Sequence, residues 1–211
     1  MSIKQQIMLL ALSYCAAVSA QAAIVDATAL RFDNIAFTGK AGQNTGTFAT
    51  TDSSLTLFND AWFGFNLQDT FGSAINLNNN NQFIMNFDIN VASATATMPE
   101  ITGLWFADFS YKEKNHNPHR TFTLGGTQNY AGITAYQYAA VNTTQSFSID
   151  VNEFISGMVT DIIFINDCDS GRCDDVQVTF SNVSLTDVSE PTAISMLLLG
   201  LGYIGWRTRR Q

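Results

Sequence analysis

The chain of 211 residues is predicted to be all-β, an antiparallel two-sheet β-sandwich of jelly-roll type. Three observations predict this fold class. Short runs rich in Phe, Ile, Val, Thr and Tyr recur at intervals of about ten residues. Clusters of Asn, Asp, Gly and Ser separate these runs and supply the turns. Long amphipathic helix patterns are absent between the two ends of the sequence, and many short strands without them are typical of a sandwich.

Ten strands are predicted in chain order from these runs. They are Leu30–Thr38, Gly46–Thr50, Ser54–Phe58, Trp62–Leu67, Gln82–Val91, Ile101–Tyr111, Arg120–Gly125, Gln145–Asp150, Val159–Asn166 and Val176–Leu185. Between the eighth and ninth strands, Val151–Gly157 is predicted to form one helical turn, with Asn152 as its cap and Gly157 as its end.

Two of the strands carry a detailed face pattern. In the fifth, alternate apolar residues share one face, namely Phe83, Met85, Phe87 and Ile89. In the tenth, Val178 and Phe180 have one parity, whereas Val183 and Leu185 have the other. A β-bulge near Ser181 and Asn182 would place all four on the same face, so a bulge is predicted there.

Residues 1–22 have the features of a secretory signal peptide, including an apolar helix. Lys4 supplies the positive charge, Ile7 to Val18 is apolar, and Ala20-Gln21-Ala22 is a small-x-small cleavage site. Cleavage after Ala22 would also remove Cys15. The alternative is a signal anchor that stays uncut.

Residues 189–211, at the other end of the sequence, also differ in composition from the residues between the two ends. Ser189-Glu190-Pro191 precedes the apolar run Thr192 to Trp206, predicted to be helical, and Arg207, Arg209 and Arg210 follow. The run is shorter than the ~20 apolar residues of an ordinary membrane-spanning helix. This tail resembles the PEP-CTERM sorting signal, although Ser189 stands where that signal has its first proline. The resemblance implies cleavage by an exosortase-type membrane enzyme and delivery to the cell surface or an exopolysaccharide matrix. A simple membrane anchor is the alternative.

Residues 23–188 remain as one domain. Four of the ten basic residues lie in the two ends, whereas all 18 acidic residues lie between Asp26 and Glu190. Residues 23–190 therefore carry a net charge of 6 − 18 = −12. This charge argues against nucleic acid as a partner, because its phosphates require a basic surface. An acidic surface suits cations or neutral partners such as sugars.

Cys168 and Cys173 are the cysteines outside the signal peptide. In an oxidising compartment they are predicted to form a disulfide that closes a small loop. The same loop is acidic, with Asp167 and Asp169 at alternate positions before Gly171. Oxygen ligands in this spacing favour calcium, and a structural calcium ion between Asp108, Asp167 and Asp169 is one hypothesis. The alternative is a solvated loop in which Arg172 pairs with an aspartate.

Several motifs between Leu55 and Leu185 occur in a fixed order. The first is Gly-Thr-Gln followed by an aromatic residue, at Gly126–Tyr130. The second is Phe-Ile-Asn-Asp-Cys-Asp at Phe164–Asp169, and the third is Phe-Ser-Asn-Val at Phe180–Val183. The series resembles β-sandwich carbohydrate-binding modules of secreted polysaccharide-degrading enzymes. The resemblance implies a non-catalytic, sugar-binding domain.

Exposed aromatic rings beside amide groups would bind a sugar. Tyr130, Tyr136 and Tyr138, with Gln128 and Asn129, lie in a loop-like segment and are the predicted contacts. The alternative is that these tyrosines pack. Trp62 and Trp105 lie within strand runs and are predicted to be buried.

His116 and His119 share one loop, where an exposed polar role is favoured over weak metal binding because no third ligand is evident. Glu100, Glu113 and Glu153 are candidates for a general acid, but no nucleophile–base pair stands out. The sequence therefore predicts no enzyme. It predicts an exported surface or matrix protein that binds polysaccharide, with a structural matrix component or a small glycan-active enzyme as alternatives.

Overall fold

The computed structural model describes residues 24–32, 46–72, 74–78, 81–108, 116–128, 130–168, 173 and 175–189. Within these residues the strands are β1 (Ile24–Ala29), β2 (Thr47–Thr50), β3 (Ser54–Phe58), β4 (Ala61–Asn66), β5 (Ile75–Asn76), β6 (Asn81–Ala92), β7 (Ile101–Ala107), β8 (Thr121–Gly125), β9 (Thr144–Asp150), β10 (Met158–Val159), β11 (Asp161–Asp167) and β12 (Gln177–Ser189). The predicted all-β class is confirmed. Both predicted terminal helices lie outside the described residues.

The strands form two main antiparallel sheets. The six-stranded sheet has the order β2-β3-β12-β6-β9, and β1 pairs with the second half of β12. The four-stranded sheet has the order β4-β11-β7-β8, and β5 pairs with β10 in a small third sheet. The α-helix α1 (Leu67–Phe71) follows β4, capped by Asn66, whose side chain accepts from the backbone N–H of Asp69 at 2.9 Å.

The two main sheets enclose one apolar core. Phe164 of β11 and Phe180 of β12 meet across it, with ring centroids 5.0 Å apart in an edge-to-face arrangement. Met85, Phe87 and Ile89 of β6 are buried in the same core, as their predicted shared face requires. The described residues therefore form a two-sheet sandwich.

The predicted bulge in the last strand is confirmed. The pairing of β12 with β6 shifts between Ser181 and Ser184, and Asn182 adopts a φ of 51°. The extra residue turns Val183 back toward the core, where it is 1 % exposed. One strand can thus span both halves of the sheet.

Two local predictions are wrong. The helical turn after β9 is a 3-10 turn that ends at Glu153, well before Gly157, and its N-cap is Asp150. Asn152 instead bridges neighbouring segments, because its side chain accepts from the N–H of Phe83 and donates to the carbonyl of Leu77. The strand β1 was not predicted.

No helix in the described part of the chain has the length and apolar content needed to cross a membrane.

Candidate functional site

The outer face of the four-stranded sheet carries a cluster of aromatic side chains. Trp62 of β4 and Trp105 of β7 lie on either side of β11 and are 9 % and 0 % exposed, which confirms that both are buried. The His116 ring lies against both, with centroids 5.0 Å from Trp62 and 4.8 Å from Trp105. Tyr130 packs on the same face. These four residues are the outer aromatic cluster.

His116 fixes the position of Tyr130 in this cluster. The two rings are stacked, with centroids 5.3 Å apart and an interplanar angle of 10°. The Thr121 hydroxyl donates to the carbonyl of Asn117 at 2.9 Å, so toward His116 Nε2, 3.0 Å away, it acts as the acceptor. The Tyr130 hydroxyl lies 2.7 Å from Nδ1 and 3.1 Å from Nε2 of His116, so the phenol and the imidazole are hydrogen-bonded to each other.

Burial sets the charge state of this pair. It lowers the pKa of His116 to about 4, so the imidazole is neutral at pH 7. Burial, and then the negative charge of Asp167, raise the pKa of Tyr130 to about 12, so the phenol keeps its proton. The Asp167 carboxylate accepts from the indole Nε1 of Trp62 at 3.2 Å.

A polar patch borders the cluster at one end of the sheet. Glu100 donates its backbone N–H to the carbonyl of Asp167 at 2.9 Å, and its own carbonyl accepts from the N–H of Gln128 at 3.0 Å. The N–H of Tyr130 then donates to the carbonyl of Gln128 at 2.9 Å. We name Glu100, Gln128, Tyr130 and Asp167 the rim patch. It unites an exposed residue that ends in an amide, two partly buried acidic residues and a partly buried tyrosine.

A glycine allows these segments to approach. Gly126 has a φ of +140°, and a Cβ at this position would overlap the carbonyl of Glu100. The predicted contacts Tyr130 and Gln128 are therefore brought together by the structure, while Asn129 lies outside the described residues. Sequence reasoning did not place Glu100 and Asp167 beside them, because the link depends on the pairing of distant strands.

The other two predicted tyrosines lie elsewhere. The ring of Tyr136 packs edge-on against Phe122 and Phe154 of the main core, at centroid distances of 6.1 and 5.9 Å. Tyr138 is only 6 % exposed, so its predicted role in exposed contacts is wrong. Because Phe122 faces the core and Tyr130 packs on the outer face, Tyr130 and Tyr136 do not form one platform.

The predicted calcium ligands are not all neighbours. In the pairing of β7 with β11, Ala107 lies opposite Asp161 and Ile101 lies opposite Asp167. Asp108 and Asp167 therefore lie at opposite ends of the sheet, about 20 Å apart. The prediction that both bind one calcium ion is wrong. Asp169 lies outside the described residues, so calcium binding in its loop stays a prediction. The described residues hold no group of three or more His, Cys, Asp or Glu side chains placed to hold a metal ion.

The cysteine prediction is confirmed, since Cys168 and Cys173 form a disulfide with their Cα atoms 6.0 Å apart. The prediction of an exposed loop for both histidines is wrong for His116. Its ring nitrogens contact Tyr130 and Thr121, whereas His119 is exposed. Of the sorting signal, Ser189 ends β12, while Glu190, Pro191, Arg207, Arg209 and Arg210 lie outside the described residues.

Comparison with known protein families and with curated proteins finds no match. Among solved structures, the chain is similar to the second N-terminal cellulose-binding domain of β-1,4-glucanase C from Cellulomonas fimi. The two are 12 % identical, and the match covers 76 % of this chain and 100 % of that domain with a TM-score of 0.29. A likeness this weak establishes neither a shared function nor a shared ligand.

Proposed function

We propose that this chain is an exported, non-catalytic surface or exopolysaccharide-matrix protein that binds polysaccharide at the rim patch. The tail after residue 188 is processed by an exosortase-type enzyme in this proposal, and it holds the chain at the membrane until then. We also propose that the strands of the sandwich are connected as in a jelly roll.

The observation that carries the proposal is the composition of the rim patch. The partly buried ring of Tyr130 offers an apolar face for the C–H side of a sugar, while Gln128 and Asp167 offer hydrogen-bonding groups for its hydroxyls. The stacked His116 ring holds Tyr130 in one orientation. Little conformational freedom is then lost when a ligand binds, which favours affinity.

Export has separate support. A disulfide between Cys168 and Cys173 is stable in an oxidising compartment. The two ends of the sequence, with the features of a signal peptide and a sorting tail, agree with that location.

A structural or adhesive matrix role without a sugar site is the second candidate. It is favoured by the inward packing of Tyr136 and Tyr138, which leaves Tyr130 as the one outer-face ring among the three predicted tyrosines. A glycan-active enzyme is the third, and it would require two carboxylates facing each other across a cleft.

Polysaccharide pull-down with the purified full-length chain in mild detergent tests the sugar site, with calcium and with chelator. Tyr130→Ala is expected to weaken binding about tenfold, or about 1.4 kcal/mol. Tyr136→Ala is the matched control, because this ring packs on the other face of the sheet. Equal binding by both variants and the wild type would remove the rim patch as the site. Release of reducing sugar would instead establish an enzyme.

Tail processing is tested in a host that has an exosortase, with an epitope tag after Gln211. Loss of the tag from surface-exposed protein is expected for the wild type. Retention of the tag is expected when Arg207, Arg209 and Arg210 are replaced by glutamine. A tag retained in the wild type would favour a permanent anchor.

A further inference from the structure

The six-stranded sheet exposes a face that is built differently from the rim patch. The outward residues of β3, β12, β6 and β9 alternate with buried core residues such as Leu57, Val178 and Ile89. One row runs across four strands in direct register and consists of Thr56, Thr179, Asn90 and Thr144. Every member of this row ends in a hydroxyl or an amide.

The next row continues the pattern. It consists of Ser54, Ser181, Asp88 and Ser146, again in direct register. Asp88 accepts from the hydroxyl of Ser146 and from the amide of Asn182, the latter at 2.7 Å, and these bonds hold its pKa below the usual range. This carboxylate is therefore part of the hydrogen-bonded surface.

A third row follows beyond the bulge in β12 and consists of Ser184, Asn86 and Ser148. We name the three rows the hydroxyl–amide face. Among its 11 positions only Asp88 is charged, whereas about three charged residues would be expected on an ordinary protein surface of this size. Neighbouring rows are about 7 Å apart along the strands and neighbouring residues about 4.8 Å apart across them.

We infer that the hydroxyl–amide face binds a strand of neutral polysaccharide, independently of the rim patch. Hydroxyl and amide groups donate and accept, so they match the hydroxyls of a sugar polymer without needing charge. The Asn90 amide has two N–H donors and an acceptor oxygen. Its bond to the Thr144 hydroxyl, at 3.1 Å, uses one of the two N–H donors.

The charge pattern selects among polymers. The face holds no lysine or arginine, it has a carboxylate in its central row, and the chain has a net charge of −8. Uronate-rich or phosphorylated polymers would be repelled. The face and the rim patch lie on opposite sides of the sandwich, so one molecule would bridge two polysaccharide strands. That bridging rests on the proposed function of the rim patch.

The test removes two amides from the face in the full-length chain. Binding to soluble glucan, mannan and xylan is measured by affinity electrophoresis, with alginate as the anionic comparison. The variant Asn86→Ala with Asn90→Ala is compared with its parent in the wild-type and in the Tyr130→Ala background. In the second background binding at the rim patch is weakened, so most of the remaining binding is expected to come from the face. Gln68→Ala in α1 is the control for loss of an exposed amide, and thermal unfolding confirms that every variant is folded.

We expect Tyr130→Ala to retain binding to a neutral polysaccharide, and the two alanines to weaken that remaining binding about 30-fold. Binding to alginate should be undetectable. Complete loss of binding in Tyr130→Ala alone would overturn the inference and leave the rim patch as the site. Unchanged binding after the two alanine substitutions would also overturn it. The same holds if those substitutions dissociate an oligomer without affecting sugar binding, since the face would then join two copies of the chain.

Discussion

His116 makes the stability of the fold depend on pH in a way that can be isolated by one substitution. Its pKa is lowered to about 4 in the folded chain by burial, against 6.5 for an exposed histidine. As the pH falls below about 6.5, the unfolded chain takes up a proton before the folded chain does. The stabilisation is therefore complete above about pH 6.5 and is lost progressively between there and about pH 4.

The size of the effect follows from the two pKa values. The gap between 6.5 and about 4 corresponds to about 3 kcal/mol of unfolding free energy. The ring is partly accessible to water, so screening reduces the expected loss to about 1–2 kcal/mol. His119→Gln serves as the control because that side chain is exposed in the same segment.

Urea unfolding of the wild type, His116→Gln and His119→Gln at about pH 7 and about pH 4.5 measures the difference. The wild type and His119→Gln should lose about 1–2 kcal/mol more than His116→Gln over this interval. The comparison cancels the acid titration of the carboxylates, which all three proteins share. Equal losses in the wild type and His116→Gln would refute the argument that burial of this ring controls its protonation.

Three further predictions concern the supports of the sheet and the rim patch. Replacing Cys168 and Cys173 by serine should lower the unfolding free energy by about 2 kcal/mol in urea, and a midpoint equal to that of the disulfide-bonded protein would contradict this. Gly126→Ala should cost about 1–3 kcal/mol because a Cβ would overlap the Glu100 carbonyl, and unchanged thermal stability would show that the segment relaxes freely. Arg120→Lys should cost about 2 kcal/mol, since one ammonium cannot replace the three guanidinium bonds to the carbonyls of Phe106, Ser156 and Met158, each 2.7 Å long. Unaltered amide exchange near Met158 would argue against that role.

The fold was largely predictable because alternation within a strand is a local signal. Met85, Phe87 and Ile89 mark the buried face of β6 without reference to any other part of the chain. The bulge in β12 was predictable for the same reason, because the parity change between Phe180 and Val183 is visible in the sequence. β1 was missed because its sequence, Ile24-Val-Asp-Ala-Thr-Ala29, shows no alternation of large apolar and polar residues, and only its pairing with β12 identifies it as a strand.

The site was less predictable because its contacts are long-range. Tyr138 looked like a loop tyrosine, but its backbone N–H donates to the carbonyl of Leu124 at 2.8 Å and its side chain lies in the core. His116 looked like an exposed histidine, but Trp62 and Tyr130 reach it from distant positions in the sequence. The available signal was its position five residues before Thr121, close enough for a turn to fold it back onto the sheet.

The position of β12 bears on how the molecule carries mechanical load. This strand is the last among the described residues, yet it lies in the middle of the six-stranded sheet, with β6 on one side and β1 and β3 on the other. The six-stranded sheet can therefore close only after the chain has been synthesised as far as β12. If a polysaccharide binds the sheet as proposed, a pull between that polymer and the chain beyond Ser189 would act along β12. The strand would then be loaded in shear, so the hydrogen bonds on both of its sides would have to break together instead of one after another.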